Sequence, residues 1–519
     1  MNCRATILQS VRRTGTKHEF TIIMAILAGA FVLFAPAFAG QEDPTARDGA
    51  DTGVEKTAQF LSAGSWIRGW GEPGTCLVSQ VAVDRDGKIY VAGELRGAVD
   101  LDPGPGVDEH VSSGDFDFYV SKFDSSGDFL WARTWGGPEL EIHLNVALDG
   151  VGGVYLAGDF SGSVDFDPGT SVAEGVSNGE TDIFLSKLDS DGDFVWVGTW
   201  GGEHYEFGCG VAADDSGQVY TAGTFRGAVD FDPGLGITTV SPDGNGNGVF
   251  LSKLNPSGEF QWVRAWGGAT RPGGLCDDVY LHPDGDIYVA GDFSDTTDFD
   301  PGDGIEQHTS NGGWDIFLSK FDNGGTFQWA RTWGGYYDDM MEGLAVDSFG
   351  NTYVSAACST TGRTFDAPVV GDGADQPSSE CALHMSLAAF DSSGSLRWAR
   401  EWGGLGIQFC PDLAVDASGN IYVSENYQVV GGLDPGSRET DVIGRFANSV
   451  VRFDFAGRFL RYCALGDIYG TGDLHLAVDS PDTILIAGSV SEIGDFDRRL
   501  LGGDYEGSPD PGAFLIRVP

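Results

Sequence analysis

Short apolar runs alternate with polar turns along most of the chain, and one run recurs at nearly constant spacing. The stretch FLWARTWGG at residues 129–137 returns as FVWVGTWGG from Phe194, FQWVRAWGG from Phe260, FQWARTWGG from Phe327 and LRWAREWGG from Leu396. A weaker copy, FLRYCALGD, begins at Phe459. The spacing of 63–69 residues between copies is typical of a repeat architecture.

Each repeat unit predicts four short strands. A first apolar run such as VAVD at residues 81–84 is followed by a tight turn and a second run such as IYVAG at residues 89–93. A long loop containing VDFDPG leads to a third run, DIFLSKL at residues 182–188 in the second unit, and a turn of the type DSSGD leads to FLWARTW. Short strands joined by such turns indicate one antiparallel sheet per unit.

Seven such sheets predict a closed ring. A four-stranded sheet has two apolar faces, and radial repetition lets each sheet bury them against its neighbours while protecting the strand edges. The fold class is therefore all-β, a seven-bladed β-propeller with four antiparallel strands per blade, occupying residues 60–519 as a single domain. The repeat units begin near residues 71, 136, 201, 267, 334, 403 and 466.

The ends of the chain predict how the ring closes. The last unit stops at AFLIRVP and lacks a fourth strand, whereas residues 60–71, FLSAGSWIRGWG, match the fourth-strand pattern ahead of the first unit. Trp66, Arg68 and Trp70 take the positions of Trp131, Arg133 and Trp135. We expect residues 60–70 to complete the C-terminal blade, which leaves no free edge between first and last blade.

The segment before the repeats is typical of export. Residues 1–39 place four basic residues before an apolar run at residues 21–34 and end on the small-x-small sequence Ala37-Phe38-Ala39, as a signal peptide does. Residues 40–59 are polar and predict a flexible leader. The expected location is secreted or in the cell envelope, periplasmic or extracellular, with no membrane span in the mature chain.

The net charge of the chain limits the kinds of ligand that it can bind. The chain has 77 Asp and Glu against 30 Lys and Arg, a formal net charge of −47. Such a surface repels nucleic acid and anionic membranes, and it suits a hard cation such as calcium. We therefore expect an unknown protein or glycan ligand rather than nucleic acid, and a monomeric chain.

With the period, the WGG and IYVAG runs and the FLSKFDSSG-like runs together, residues 60–519 resemble the bacterial SBBP family of β-propeller repeats. The resemblance implies the propeller fold and an exported repeat protein, and it carries no catalytic motif. One difference is that this chain repeatedly places DxDPG after the second strand of a unit.

The DxDPG element is the candidate metal site. Residues i and i+2 of an extended chain project to one side, so its two carboxylates face together and could bind calcium. The alternative is structural, because Asp-Pro-Gly suits a type II turn with a positive φ at Gly, although that turn does not explain the first Asp. The candidate ligands are Asp100, Asp102, Asp165, Asp167, Asp230, Asp232, Asp298, Asp300, Asp495 and Asp497.

Other motifs favour structure over chemistry. The turns at residues 124–128 and 189–193 lack the spacing of an EF-hand and predict plain turns. The alternating Trp-x-Arg-x-Trp of the fourth strand could stack sugars, but it recurs in most units and favours a packing layer between blades, with Arg paired to a loop carboxylate. Cys358 and Cys381 are the best candidates for a disulfide, since they bracket the irregular loop of the fifth unit.

No catalytic residues or cofactor-binding motif can be assigned from the sequence, because the eight His are scattered and no phosphate or dinucleotide loop is present. The leading hypothesis is an exported, non-enzymatic binding or cell-surface scaffold, with calcium as the candidate stabilising ion. The alternatives are a secreted polysaccharide-active hydrolase or lyase with its site at the channel mouth, and a purely structural envelope protein.

Overall fold

The computed structural model describes residues 65–71, 73–242, 244, 246–267, 275–359, 364–365, 383–402, 408–409, 412–431, 442–466, 474–489, 504–507 and 512–518. Within these ranges the chain forms strands and turns only. No helix in this part of the chain is long and apolar enough to cross a bilayer. The predicted signal peptide and leader lie outside the described residues.

The strands follow the predicted order, four main strands to a unit with short additions. The chain opens with β1 (Trp66–Trp70). Blade 1 contains β2 (Pro73–Val83), β3 (Ile89–Asp100), β4 (Glu109–Val111), β5 (Asp117–Phe123) and β6 (Phe129–Trp135). Blade 2 contains β7 (Glu141–Leu148), β8 (Val154–Phe160), β9 (Ser163–Asp165), β10 (Glu174–Val176), β11 (Asp182–Leu188) and β12 (Phe194–Trp200). Blade 3 contains β13 (Phe207–Ala213), β14 (Val219–Phe225), β15 (Val229–Asp230), β16 (Thr239–Val240), β17 (Gly248–Leu254) and β18 (Phe260–Gly267).

The remaining blades repeat this arrangement. Blade 4 contains β19 (Leu275–Leu281), β20 (Ile287–Phe293), β21 (Thr296–Asp298), β22 (Gln307–Thr309), β23 (Asp315–Phe321) and β24 (Phe327–Gly334). Blade 5 contains β25 (Asp339–Val346), β26 (Thr352–Ser359), β27 (Thr364–Phe365), β28 (Leu383–Phe390) and β29 (Leu396–Trp402). Blade 6 contains β30 (Gln408–Phe409), β31 (Leu413–Val415), β32 (Ile421–Gly431), β33 (Val442–Phe453) and β34 (Phe459–Gly466). Blade 7 contains β35 (Leu474–Ser480), β36 (Thr483–Ser489), β37 (Asp504–Gly507) and β38 (Ala513–Val518).

The seven sheets form the predicted seven-bladed propeller. In each blade the main strands pair antiparallel in chain order, for example β7-β8-β11-β12 in blade 2. The first strand of every blade contacts the first strands of both neighbouring blades, and these contacts run through all seven blades back to the start. The first strands therefore form the wall of the central channel, and the fourth strands lie outermost.

The N-terminal strand closes the ring as predicted. In blade 7, β1 pairs antiparallel with β38, from Trp66 opposite Arg517 to Trp70 opposite Ala513. The other edge of β1 pairs in parallel with β37. The blade is thus completed by a strand from the opposite end of the chain, and both edges of that strand are covered.

The core lies between blades. One buried cluster joins Val81 and Val91 of blade 1 to Leu485 and Ala487 of blade 7. Equivalent clusters occupy further junctions, including one that joins blades 1 and 2 and one that joins blades 5 and 6. Because each sheet buries one face against each neighbour, its strands are apolar on both sides, which explains the continuous apolar runs of the second and third strands.

The Trp-x-Arg pattern of the fourth strand holds one blade against the next. Each Arg stacks on the Trp two residues before it, with 5.1–5.3 Å from Cζ to the ring centre. Its Nε donates to the carbonyl of a turn glycine in the following blade at 2.7–3.0 Å. The five residues that make these contacts are Arg68, Arg133, Arg264, Arg331 and Arg400.

This contact confirms a packing layer and corrects the predicted partner. The arginines bind backbone carbonyls, not a loop carboxylate, and among them only Arg68 comes within 4 Å of an acid in the described residues, at 3.6 Å from Asp128. The turn glycines have a positive φ of 69–78° and lie directly on the Trp ring, as Gly127 does on Trp66. A side chain at such a glycine would meet the indole, so Trp, Arg and Gly form one interlocking unit.

Candidate functional site

Four short hairpins project from one end of the propeller and carry the DxDPG sequences. They are β3–β4, β9–β10, β15–β16 and β21–β22, one on each of blades 1 to 4, and they are named here the rim hairpins. They lie on the loops that follow the second strands, so they share this end of the ring with the WGG loops that follow the fourth strands. The predicted carboxylate pairs of blades 1 to 4 therefore lie at one face of the ring.

The first Asp of each pair holds its hairpin closed. Asp100 Oδ1 accepts hydrogen bonds from the backbone amides of Asp102, at 3.2 Å, and Asp108, at 2.8 Å. Equivalent bonds form at Asp165, Asp230 and Asp298, with 3.2 Å to the nearer amide and 2.7–2.8 Å to the amide eight residues on. The residue that the turn prediction left unexplained thus has a structural role.

The second Asp of each pair caps the backbone amide two residues further on. Asp102 Oδ1 accepts from the Gly104 amide at 2.7 Å, and Asp167, Asp232 and Asp300 do the same at 2.8–2.9 Å. The predicted type II turn is wrong, because the glycines of these four sequences do not have the positive φ that such a turn requires. The motif is a side-chain-capped turn of the Asx type.

The calcium prediction at these aspartates is not tested by the structure. One carboxylate oxygen of each rim Asp is bonded to backbone amides, and the described residues contain no group of three or more acidic, His or Cys side chains placed to hold a metal ion. Asp495 and Asp497 lie outside the described residues.

The rim hairpins also expose aliphatic side chains. Leu235 is fully exposed, and Ile237, Val107, Val172 and Ile305 are each more than three-quarters exposed. Val111 and Val176 on the returning strands are more than half exposed. Each of four consecutive blades therefore presents apolar side chains next to a pair of aspartates, and the sequence signal is an aliphatic residue three positions after DxDPG.

The turns at the opposite face are structural, as predicted. Asp124 Oδ1 accepts from the amides of Ser126 and Asp128, at 2.8 and 3.0 Å, and Asp189 repeats the pattern. The glycines of both turns have positive φ. The carboxylate oxygen that a calcium loop would offer is thus already used by the backbone.

A ring of variable residues surrounds the central channel and was missed at the sequence level. The position before the recurring VAVD-like run holds Gln80, Asn145, Gly210, Asp278, Gly343, Asp412 and His475. The five side chains among them are half-buried. The sequence does contain a signal for this ring, because the residue before the recurring motif differs from unit to unit.

Several of these side chains join one blade to the next. Gln80 accepts from the Val146 amide at 2.5 Å, and Asp412 Oδ2 accepts from the Leu476 amide at 2.7 Å. When the ring position of the preceding blade is glycine, no side chain reaches across from that blade. The acid of the next blade then accepts from an amide of its own strand, as Asp278 does from the Val279 amide at 2.7 Å. The ring is therefore partly a set of structural ties.

Two acids of this ring interact across the gap left by Gly343. Burial, and then the charge of Asp412, raise the pKa of Asp278 to about 8. Burial lowers the pKa of His475 to about 4, so its imidazole is neutral at physiological pH. The channel wall thus contains a carboxyl with a raised pKa and a second acid whose charge contributes to that shift.

The structure also pairs a histidine that seemed isolated in the sequence. His143 has a φ of 61° in a bulge of β7, and its Nδ1 lies 2.7 Å from Asp159 Oδ2. Asp159 raises the pKa of His143 against the opposing effect of burial. Asp159 also accepts from the Gly208 amide of blade 3, so this pair joins two blades as well as offering a charged group near the channel.

The predicted disulfide is not shown. Cys358 is buried, and its Sγ lies 3.2 Å from the hydroxyl of Ser386. Cys381 lies outside the described residues, as does most of the irregular loop of the fifth blade. The pairing stays a prediction.

Comparison with known proteins adds little beyond the fold. No protein-family model matches the chain, so the resemblance to SBBP repeats stays a prediction. The chain is 27% identical over 230 residues to the regulatory protein FlaEY of Caulobacter vibrioides, a match covering 40% of this chain and 24% of that protein. It is 22% identical over 495 residues to the uncharacterized WD repeat-containing protein L264 of Acanthamoeba polyphaga mimivirus, covering 80% of this chain and 35% of that protein.

Solved structures align over most of the chain at low similarity. A protein of unknown function from Dyadobacter fermentans has 12% identity and a TM-score of 0.36, with 90% of this chain and 98% of that chain covered. The chain spans only about a quarter and a third of the lengths of the two curated relatives. These likenesses assign no family and no activity.

Proposed function

We propose that this chain is an exported, non-enzymatic β-propeller that acts as a scaffold and binds a protein partner through its rim hairpins. The observation that carries the proposal is the set of exposed aliphatic side chains on four consecutive blades, each beside a carboxylate pair. Aliphatic side chains next to charge favour a protein surface as ligand, since sugars are bound mainly through aromatic stacking and hydrogen bonds.

The side chains of the rim hairpins indicate what kind of surface the partner presents. A surface complementary to it is apolar at its centre and carries Lys or Arg at its edge, facing Asp100, Asp165, Asp230 and Asp298. With a net charge of −47, the chain attracts such a partner at long range and repels acidic ones. Binding is therefore expected to weaken as salt concentration rises.

A pair of matched variants tests the rim. Leu235→Ser with Ile237→Ser removes exposed apolar surface from the blade 3 hairpin. Val151→Ser with Phe349→Ser removes similarly exposed apolar side chains from the turns at the opposite face. In cross-linking on intact cells, we expect the parent and the turn-face variant to form the same adduct and the rim variant to lose it. An unchanged adduct in the rim variant would contradict the proposal.

Export of the chain is tested by locating the N-terminus of the mature protein. The sequence of residues 1–39 supports cleavage after Ala39, so the N-terminus of the mature protein is expected at Gly40. Mass spectrometry of the protein recovered from the cell envelope or medium measures that terminus. Recovery of uncleaved chain in the cytosol would contradict export.

A polysaccharide-active enzyme is the second candidate, and the Asp278–Asp412 pair favours it. Asp278, with its raised pKa, could act as a general acid beside Asp412 as the second carboxyl, as the two carboxyls of a glycosidase do. The test is release of reducing ends or unsaturated products from a panel of polysaccharides. Activity that is present in the parent and lost in Asp278→Asn would support the enzyme and contradict the non-enzymatic scaffold.

A further inference from the structure

A strained histidine lies near the rim-face end of the channel wall in blade 2. His143 is inside β7 and has a φ of 61°, whereas the other described non-glycine residues with a positive φ, Asp295 and Asp482, lie between strands. A positive φ is costly for a residue with a Cβ, and such outliers concentrate where a protein binds or reacts. The carbonyl of His143 accepts from Asn145 Nδ2 at 3.0 Å, which helps to hold this backbone in place.

The unusual backbone moves His143 out of the core. In blades 1, 4 and 5 the residue at this register is buried, and its amide donates to a side chain of the preceding blade; these residues are Val78, Cys276 and Met341. In blade 2, Leu144 takes over both roles, because it is fully buried and its amide donates to Glu94 Oε1 at 3.0 Å. The shift by one residue leaves the His143 side chain available for another purpose.

Asp159 orients the displaced imidazole. Its Oδ2 lies 2.7 Å from His143 Nδ1, and its Oδ1 accepts from the Gly208 amide, so the carboxylate is fixed at both oxygens. The Asp159 side chain is fully buried, whereas 30% of the His143 side chain is exposed. His143 Nε2 makes no hydrogen bond within the described part of the chain. A carboxylate on Nδ1 sets the orientation of the ring and leaves Nε2 for a ligand.

Two aromatic rings lie beside this imidazole. The ring of His143 meets that of Phe207 edge to face, with 6.3 Å between ring centres, and Tyr205 stacks parallel to Phe207 at 6.1 Å. Both aromatic residues are half-buried. The residues equivalent to Phe207 in blades 1, 2, 4 and 5 are not aromatic, namely Leu77, Ile142, Leu275 and Met340. The aromatic pair is therefore not part of the common plan of a blade.

The backbone that carries Tyr205 is tied to the preceding blade. Tyr205 forms a parallel bridge with Thr181, the Glu206 amide donates to Thr181 O at 3.1 Å, and Thr181 Oγ1 donates to Glu206 O at 3.1 Å. Rings on a fixed backbone lose little entropy when a ligand binds. We name His143, Asp159, Tyr205 and Phe207 the junction site, since they lie where blades 2 and 3 adjoin.

The surroundings of the junction site disfavour an anionic ligand. Burial lowers the pKa of His143, but the hydrogen bond to Asp159 and the charges of Asp159 and Glu94 raise it overall, so two acids act on the one imidazole. Glu206 is close enough to feel the charge of Asp159. No Lys or Arg in the described ranges forms an ion pair with any of these three acids. With a net charge of −47 on the chain, an uncharged ligand fits better.

We propose that the junction site binds an uncharged saccharide, with a hydroxyl group bonded to His143 Nε2 and a C–H face of the sugar on Tyr205 and Phe207. An imidazole nitrogen can accept from a hydroxyl or, when protonated, donate to it, and aromatic rings provide the apolar surface. A protein surface fits less well, because these side chains are half-buried, unlike those of the rim hairpins. The inference is independent of the proposed scaffold function, since it uses no residue of the rim hairpins.

Isothermal titration calorimetry of the purified mature chain tests the proposal. The probes are the neutral sugars cellohexaose, laminarihexaose, xylohexaose and mannohexaose, with hexagalacturonate as the acidic comparison. We expect at least one neutral sugar to bind about tenfold more tightly than hexagalacturonate, which the acids near the site repel. If no neutral sugar binds, or if only hexagalacturonate binds, the proposal is overturned.

Variants locate the bound sugar. Tyr205→Ser and His143→Asn should each weaken binding about tenfold, the loss expected for one stacked ring or one hydrogen bond. Asn is chosen at residue 143 because it tolerates a positive φ. Tyr336→Ser with Tyr337→Ser removes the exposed rings of another WGG loop and should bind like the parent. Parent-like binding in both Tyr205→Ser and His143→Asn would place the sugar elsewhere and refute the junction site.

A graft from blade 3 separates binding from folding. His143→Gly with Asp159→Thr copies the equivalent residues Gly208 and Thr224, and Thr224 Oγ1 accepts from the Cys276 amide of blade 4 at 3.0 Å. Glycine relieves the positive φ and threonine keeps an acceptor for the next blade. The unfolding temperature should therefore equal or exceed that of the parent, while sugar binding is lost. A lower unfolding temperature with unchanged binding would show that the pair only joins blades, contrary to the proposal.

Diethyl pyrocarbonate gives a readout at His143 itself, because it acylates accessible, unprotonated imidazole nitrogens. Peptide mass spectrometry should show His143 modified in the free protein and protected when the neutral sugar is bound. The same sugar concentration should protect His143 less in Tyr205→Ser. Modification of His143 at an equal rate with and without bound sugar would contradict a contact with Nε2 and overturn the assignment.

Discussion

Arg68 offers a direct test of how the ring is held closed. It lies on β1 in blade 7, is 6% exposed, and donates from Nε to Gly127 O at 2.9 Å and from Nη2 to Ser126 O at 3.0 Å, both in blade 1. It also stacks on Trp66. Replacing it with Ala removes both hydrogen bonds and the stacking at the junction where the third and fourth strands of a blade come from opposite ends of the chain.

The magnitude follows from these contacts. A hydrogen bond from a charged donor contributes about 1.5–3 kcal/mol and a cation–π stack about 0.5–2 kcal/mol. Because the Ser126 turn is exposed and water can replace one bond, we expect a loss of about 2–4 kcal/mol. For a domain of this size, that lowers the unfolding temperature by roughly 2–4 °C.

Differential scanning calorimetry measures the change, and two variants act as controls. Arg133→Ala removes the same contacts at the junction of blades 1 and 2 and should cost a similar amount. Arg68→Lys keeps the charge but not the planar fork, so it should recover only part of the loss. The reasoning is refuted if Arg68→Ala unfolds at the parent's temperature while Arg133→Ala does not.

Three further predictions concern the closing strand, the rim and the core. Deletion of residues 60–70 should leave the edge of β38 open, lower the unfolding temperature and produce oligomers in size-exclusion chromatography; a monomer that unfolds like the parent would contradict the closure. Asp100→Ala should speed hydrogen exchange of the Asp108 amide about tenfold without changing global unfolding, whereas Asp102→Ala should spare that amide. Glu425 is buried, accepts from the Trp402 indole at 2.5 Å, and has its pKa raised to about 8 by burial. The pKa of Glu425 in the folded protein exceeds the unfolded value of about 4.3. The contribution of Glu425 to the free energy of unfolding is therefore fully present below about pH 4.3 and is lost as the pH rises through about 8. Glu425→Gln should therefore lose less stability than the parent between pH 6 and 9, and Trp402 fluorescence should report the titration; equal losses would contradict this assignment.

The fold was predictable because periodicity and packing agree in every unit. The recurrence of the pattern of Trp131, Arg133 and Trp135 along the chain sufficed to count the blades and to identify residues 66–70 as the missing strand. Strand alternation and turn residues are local properties, so they are readable without knowledge of neighbouring blades.

Contacts between blades were harder to predict from the sequence. The DxDPG pattern suggested a metal or a type II turn, because the bond from Asp100 to an amide eight residues away depends on the hairpin's length and twist. The Arg was expected to meet a carboxylate, whereas the structure gives it backbone carbonyls, which have no sequence signature. The rings of His143 and Phe207 belong to different units, and their contact depends on a backbone bulge that the sequence does not reveal.

Blade 2 keeps the stacking Trp196 and has Gly198 at the position of the Arg, whereas the blade 6 copy lacks both the Trp and the Arg. The interlocking of Trp, Arg and turn glycine accounts for the loss of both in blade 6. Blade 7 is completed by β1, so no turn joins its third strand to its fourth, and an arginine on blade 6 would find no glycine carbonyl to bind. The equivalent position in β34 is Cys463, and Arg461 replaces the stacking Trp. The degenerate copy thus records which blade holds the closing strand. In a circularly permuted chain, the junction that tolerates loss of the Trp-x-Arg pair should move with the new ends.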